Sequence, residues 1–332
     1  MQKDVKALGL FSGGLDSQLA ACVLRAQGII IELVVFDSPF YNPEPAIKAA
    51  DALGLKLHVI DFTNDIVGLL NHAPHGFGKC MNPCIDCHAL MFRRAGEMML
   101  AGNFDFIFTG EVLNQRPMSQ NRSSLTLVAR DSTFADSVLR PLSALLLDPT
   151  KPESDGLVDR EKLLGLSGRG RKPQFALAAE YGIKEYPSPA GGCRLTEPGY
   201  SARLADLKIH EGLSNKRALV LLRFGRHFRL SSGAKLILGR HADDNAALEK
   251  LIADDDIVLR LADMPGPTGI LDCNATDADI EQAAAMLVRY TRKVEPDQSV
   301  LLKIVQNNIE KTIEASAMSE EDTDKMLVAS TK

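Results

Sequence analysis

Residues 12–17 read Ser-Gly-Gly-Leu-Asp-Ser. They stand between a short apolar run, Lys6 to Phe11, and an apolar stretch of helical spacing, Gln18 to Gln27. A strand that passes into a helix through two glycines constrains the fold more than any other feature of this chain. Glycine adopts backbone conformations closed to other residues and lets the chain approach a ligand closely. The first N–H groups of a helix lack intrahelical partners, so such a turn can hold an anion. Ser12 and Ser17 add hydroxyl donors. Asp16 is ill suited to touch a phosphate directly but suits a magnesium ion bound between phosphates. The plainer alternative is a Gly turn with an ordinary Ser/Asp helix cap. The segment is neither a Walker A sequence nor a Gly-x-Gly-x-x-Gly fingerprint.

The surrounding pattern predicts an α/β fold. Ile29–Phe36, Lys56–Phe62 and Phe104–Thr109 read as further strands, and Pro43–Leu53 as a helix. Strands alternating with helices imply a parallel sheet with helices on both faces. Prolines and glycines interrupt the periodicity near residue 150, and residues 150–200 read as loops and short helices that complete the domain. Beyond 216 the texture changes. Segments 219–224, 227–230, 235–238 and 257–261 are strand-like, and Asn245–Ile252 and 279–293 are helical. A further helix is expected over 299–316, followed by a frayed acidic tail. The expected division is a catalytic domain over 1–205, a smaller α+β domain over 206–318 and the tail over 319–332.

With its strand–turn–helix setting, the Ser12–Ser17 segment resembles the SGGxDS signature of PP-loop ATP pyrophosphatases, the adenine nucleotide alpha hydrolase-like fold. That resemblance implies cleavage of ATP between the α and β phosphates. A substrate oxygen attacks the α phosphate, pyrophosphate leaves, and a nucleophile later displaces AMP. ATP would be bound by Ser12, Gly13, Gly14, Asp16 and Ser17, with Asp16 catalytic through magnesium. Phe36 and Asp37, at the end of the second strand, would lie near the adenine.

Residues 109–120, Thr-Gly-Glu-Val-Leu-Asn-Gln-Arg-Pro-Met-Ser-Gln, follow another strand. They look like the TGExxxQxxSQ segment of ThiI-type 4-thiouridine synthases, and Arg140-Pro141-Leu142 matches the RPL segment that follows it there. Ligands bind beyond the carboxyl ends of strands in such sheets. Thr109 and Gly110 would therefore face the nucleotide, and Gln115, Ser119 and Gln120 would line the site. A polar loop capping a strand is the bland alternative. The resemblance covers roughly residues 6–150. On this reading neither an N-terminal THUMP domain nor a C-terminal rhodanese domain is expected.

Six cysteines occur, three of them in Cys80-Met-Asn-Pro-Cys84-Ile-Asp-Cys87-His88. So dense a cluster points to metal or catalysis. Zinc would need a fourth ligand, for which His72, His75 and His88 are candidates. Asn82-Pro83-x-x-x-Cys87 resembles the NPxxxC segment of MnmA-type 2-thiouridylases, where that cysteine is catalytic. Cluster-dependent relatives of the TtuA and TtcA types carry a CxxC pair and a third cysteine about a hundred residues on. Cys84, Cys87 and Cys193, the last in Pro189-Ala-Gly-Gly-Cys193, match that pattern. The resemblance implies a 4Fe-4S cluster on these three, with an open iron for sulfide. The rival is Cys87 or Cys193 as a persulfide carrier. Cys80 is an alternate ligand, and Cys22 and Cys273 read as buried small hydrophobes.

Net charge is −5, which argues against a globally basic nucleic-acid binder. Basic residues nonetheless cluster locally, at Arg169, Arg171 and Lys172 and again over 216–229. Solvated faces would explain both. The segment Phe228 to Asn245, with Asp263-Met-Pro-Gly-Pro267, looks like the RNA-binding module of NFACT proteins. That resemblance implies phosphate contacts by Arg223, Arg226, Arg229 and Arg240; a stability or oligomerisation domain is the alternative. No apolar run is long enough to span a bilayer, and no signal core precedes the first strand, so the expected setting is cytoplasmic.

Together these features point to an ATP-dependent tRNA sulfurtransferase that uses magnesium and a 4Fe-4S cluster. Its partners would be tRNA and a sulfur donor, either sulfide or a persulfide carrier protein, and a homodimer stays open. The alternatives are a related enzyme adenylating a small molecule and a non-catalytic RNA-binding protein.

Overall fold

The computed structural model describes residues 4–116, 119–188, 192–292, 294–295 and 297–329. It comprises two compact units, Met1–Thr196 and Glu197–Lys332.

The first unit is built on a five-stranded sheet: β1 (Lys6–Leu10), β2 (Ile30–Asp37), β3 (Lys56–Asp61), β4 (Phe106–Thr109) and β5 (Val138–Leu139). Its order is β3-β2-β1-β4-β5, and every pairing is parallel. Helices α1 (Leu15–Arg25), α2 (Glu44–Leu53), α3 (Thr63–Asn71), α4 (Cys84–Ala101), α5 (Arg122–Asp131), α6 (Lys151–Ser154) and α7 (Lys172–Glu180) connect and cover the strands. The interior of β1 and all of β4 are buried, as apolar runs must be when both faces are covered. Gly9 is required for this packing. A Cβ there would stand 2.3 Å from the Phe108 ring on the neighbouring strand. From β1 the chain moves to β2 on one side and later to β4 on the other. The crevice beyond the carboxyl ends of β1 and β4 is therefore the topological switch point, where such sheets bind ligands.

The second unit contains α8 (Pro198–His210), α9 (Lys216–Leu221), β6 (Arg226–Arg229), β7 (Lys235–Leu238), α10 (Ala242–Glu249), β8 (Ile257–Leu261), β9 (Gly269–Leu271), α11 (Asp277–Arg289), β10 (Val300–Gln306), β11 (Ile309–Ala315) and α12 (Glu320–Met326). Residues 205 and 206 lie inside α8. Its sheet is antiparallel, in the order β11-β10-β8-β9-β7-β6. Alternation along β7 shows how both faces are used. Leu236 and Leu238 pack toward α11 with Ile280, Ala284 and Leu287, whereas Ile237 packs with Leu221 and Leu248 of α9 and α10.

Three sequence expectations fail here. Residues 299–316 are a hairpin, not a helix. Val300, Leu302 and Ile304 are buried at period two, and Asn307 and Asn308 both take positive φ, as a tight hairpin turn requires. The first half of the segment over 219–224 lies in α9, because the Asn215 side chain accepts from the Ala218 N–H and starts a helix, and the second half is a turn. The acidic tail is not frayed over its described part. Ser319 caps α12, Thr323 is buried, and the Val328 N–H donates to the His227 carbonyl at 2.9 Å.

Candidate active site

Helix α1 begins at Leu15, so Asp16 and Ser17 stand in its first turn and Gly14 is its N-cap. Gly13 takes φ +74°, and a Cβ there would stand 2.3 Å from the Pro45 carbonyl oxygen. Two constraints thus demand glycine at one position. Ser17 Oγ donates to the Gly14 carbonyl at 2.8 Å, and buried Gln18 donates to the Gly13 carbonyl at 2.9 Å. The turn is held in shape by its own side chains.

The second signature is brought against the first. Thr109 pairs in register with Leu10. Gly110 follows, and a Cβ on it would stand 2.5 Å from Ser17 N and 2.6 Å from Asp16 C. Only glycine lets the β4 loop lie on the first turn of α1. Gln115 then reaches Asp16, its Nε2 donating to Oδ2 at 2.6 Å. Arg171 Nη2 donates to the same oxygen at 2.8 Å, and Gln174 Nε2 donates to Gln115 Oε1 at 3.0 Å. Asp16 Oδ1, Arg171 Nε and Gln174 Oε1 are buried without a protein partner. An orphaned carboxylate oxygen beside a phosphate-binding turn suits a bound cation such as magnesium. Arg171 stood out in its basic run, but nothing in that run pointed at Asp16, 155 positions away.

Glu111 and Arg140, from the two matched segments, form a buried ion pair at 2.9 Å, each side chain 8% exposed. Burial raises the Glu111 carboxyl, but Arg140 and His88 outweigh it and hold the group below its ordinary value. The two segments are therefore joined by one buried ion pair.

The cysteines gather beside this network. Cys84 opens α4 and Cys87 lies on its first turn, one residue before His88, whose Nδ1 is 3.6 Å from Glu111. Asn82 shapes the approach. Its Oδ1 accepts from Cys80 N, and its Nδ2 donates to Cys84 Sγ at 3.1 Å. Tyr41, which sequence reasoning missed, hydrogen-bonds Cys87 Sγ at 3.0 Å. On the same loop the Phe40 carbonyl accepts from Arg194 N, beside Cys193. Cys84, Cys87 and Cys193 all act on Tyr41, whose hydroxyl burial and these thiols push well up. Burial pushes the Cys87 thiol up to about 12; Cys193, Cys84 and Asp86 add to this, and the Tyr41 hydrogen bond opposes it. An unassisted Cys87 is therefore a thiol at neutral pH and needs a metal, a base or a cation to act as a thiolate.

Three sulfurs on facing segments are the right donor set for iron, although no three His, Cys, Asp or Glu groups among the described residues stand in metal-holding geometry. Two of the three proposed histidine ligands, His75 and His88, are engaged elsewhere. His75 bridges Asp86, at 2.7 Å, and Asp131, at 3.3 Å, while His88 faces Glu111. Cys80 is half-buried, Cys22 is buried as expected, and Cys273 is only partly buried. Residues 189–191, ahead of Cys193, and 117–118 lie outside the described residues.

Phe36 is 6% exposed and packs on Phe62 with ring centroids 4.9 Å apart, so it is part of the core rather than an open adenine face. Asp37 ends β2, where its carbonyl accepts from Phe62 N.

In the second unit, two of the four arginines proposed for phosphate are already paired. Arg229 holds Asp206 at 2.5 Å and Glu211 at 3.0 Å, and Arg240 holds Asp244 at 2.5 Å. Arg226 lies 4.5 Å over the Tyr290 ring. Arg223 lies two residues beyond α9, its backbone N–H donating to the Val220 carbonyl at 3.1 Å. No helix among the described residues is long and apolar enough to cross a membrane.

Residues 3–146 match the family model described as thiamine biosynthesis protein (ThiI), and residues 225–327 match the NFACT protein RNA binding domain. A probable tRNA sulfurtransferase of Bacillus licheniformis is 32% identical over 146 residues, covering 41% of this chain and 34% of that protein. The tRNA-specific 2-thiouridylase MnmA of Sulfurimonas denitrificans is 34% identical over 120 residues, covering 32% of this chain and 35% of that protein. The chain thus spans about a third of the length of these curated relatives. A 4-thiouridine synthetase solved with RNA and ATP aligns at 20% identity and a TM-score of 0.35, over 54% of this chain and 52% of that one, a likeness too slight to bear on mechanism. The chain joins a segment similar to the ThiI family, built around the Ser12–Ser17 turn, to a segment similar to the NFACT RNA-binding domain.

Proposed function

We propose that the chain is an ATP-dependent tRNA sulfurtransferase that replaces a uridine carbonyl oxygen with sulfur. One run of contacts carries this reading: Gly110 lies on the phosphate-binding turn, the next residue, Glu111, faces His88, and His88 follows Cys87. Nucleotide site and sulfur site are neighbours on one sheet edge. The similarity to tRNA sulfurtransferases and to an RNA-binding domain supports RNA as the substrate.

The turn at 12–17 would hold the pyrophosphate end of ATP through its backbone N–H groups. Asp16 would bind magnesium through Oδ1, which has no other partner. The uridine oxygen attacks the α phosphorus and pyrophosphate leaves. Sulfur then attacks the adenylated carbon, AMP departs, and a thiocarbonyl remains. A 4Fe-4S cluster on Cys84, Cys87 and Cys193 would supply an open iron for sulfide. Tyr41 orients Cys87, and Asn82 orients Cys84. A persulfide on Cys87 or Cys193 is the competing sulfur route.

The test is pyrophosphate release with ATP and magnesium, with and without tRNA. Release that depends on tRNA and is lost in Asp16→Ala is the expected result. Equal release without RNA would favour the small-molecule enzyme instead.

A further inference from the structure

We propose that Phe175 and Tyr186 form a stacking platform for unpaired bases of the RNA substrate at the mouth of the phosphate-binding turn, an inference that rests on the reading above. Their rings lie 6.3 Å apart with 22° between planes. They are 48% and 37% exposed. Large aromatic side chains left in water as a stacked pair do not contribute fully to the core, and α7 does not need Phe175 for packing. Its buried residues are Gln174 and Ala178.

Both rings are tied to the nucleotide site by their sequence neighbours. Gln174, beside Phe175, donates to Gln115, which donates to Asp16. Glu185, beside Tyr186, gives its carbonyl to Gln18, whose same nitrogen binds the Gly13 carbonyl. The platform is thus mounted on the phosphate-binding turn from two sides.

The charge around it fits a polyanion. Between residues 169 and 186 the chain carries Arg169, Arg171, Lys172 and Lys184 against Glu180 and Glu185, in a protein of net charge −5. Arg169, Lys172 and Lys184 are exposed. Aromatic faces interleaved with cations are how single-stranded nucleic acid is held without sequence preference, because every base has a π-face. A uridine delivered to the site must leave its stack, and its flanking bases need a surface of this kind.

The chain has no tryptophan, so Phe175→Trp places a single indole at the site and keeps an aromatic face. Saturable quenching of that indole by a short uridine-rich single strand is expected. Phe175→Leu with Tyr186→Leu, apolar but unable to stack, should weaken binding of that strand roughly 5- to 150-fold while leaving ATP affinity unchanged. tRNA bound in a mobility shift without quenching, or with unchanged affinity in the leucine variant, overturns the platform and leaves the enzyme reading standing. Unchanged RNA affinity together with thiolation lost only when a persulfide carrier protein replaces sulfide would make the pair a protein-docking surface instead. Failure of the parent protein to bind any tRNA would remove both.

Discussion

Arg140→Met tests whether the buried Glu111–Arg140 pair ties the two matched segments together. Methionine keeps much of the volume and removes the cation. It leaves Glu111 buried, with only His88 near enough to help, and frees the Leu125 carbonyl that Arg140 also contacts at 3.3 Å. Breaking one side of a buried pair costs about 3–5 kcal/mol, because the remaining charge is uncompensated. The pH dependence follows from the sign of the shift. Arg140 and His88 hold Glu111 below its ordinary value of 4.5, against burial. In the parent protein that contribution is complete above the unfolded value and is lost as pH falls through the lower folded value. In the variant, burial acts with less opposition, so Glu111 titrates higher. The penalty should be largest near neutrality and shrink toward pH 5, as the carboxyl takes up a proton. Urea unfolding followed by circular dichroism across that range reads the effect. Adding Glu111→Gln should recover a large part of the loss, since no buried charge remains. A penalty under about 1 kcal/mol, or one independent of pH and not relieved by the second substitution, would refute the reasoning.

Gly110→Ala places a methyl 2.5 Å from Ser17 N, so ATP binding should fall by about tenfold or more while the secondary structure is retained, as read by calorimetry and circular dichroism. Before any metal is loaded, Cys87 should react slowly with iodoacetamide. With its thiol pushed up to about 12, its labelling should rise roughly tenfold per pH unit between pH 7 and 10, measured by peptide mass spectrometry against partly exposed Cys80. Fast labelling at pH 7 would show that its burial or its charged neighbours are misread. Cys87→Ala and Cys193→Ala should each block thiolation but leave tRNA-dependent pyrophosphate release within about twofold, which separates the sulfur step from adenylation.

What could be read from the sequence follows a physical divide. The glycine turn at 12–17 was legible because its requirement is local: Gly13 needs both a positive φ and room beneath Pro45, and only glycine meets that. Alternating apolar runs likewise marked β1 to β4 and helices α1 and α2, whereas α3, α4, α5 and the two-residue β5 were not placed. The pairings that assemble the site were hidden because they join distant positions. Arg171 meets Asp16, and Tyr41 meets Cys87, through loops whose course only the folded chain fixes. Arg229 and Arg240 looked available because a basic run does not disclose that Asp206, Glu211 and Asp244 will face it. The missed hairpin had a local signal. Val300, Leu302 and Ile304 alternate ahead of Asn307-Asn308, but Leu301 and Val305 blur the period, and the apolar run reads equally well as helix.

The most direct measurement is mass spectrometry of nucleosides from tRNA incubated anaerobically with the protein, ATP, magnesium and sulfide, alongside AMP determination. New thiouridine in proportion to AMP formed is expected, absent with Asp16→Ala and with Cys87→Ala. AMP formed without thiouridine, or thiouridine made undiminished by either variant, would contradict it.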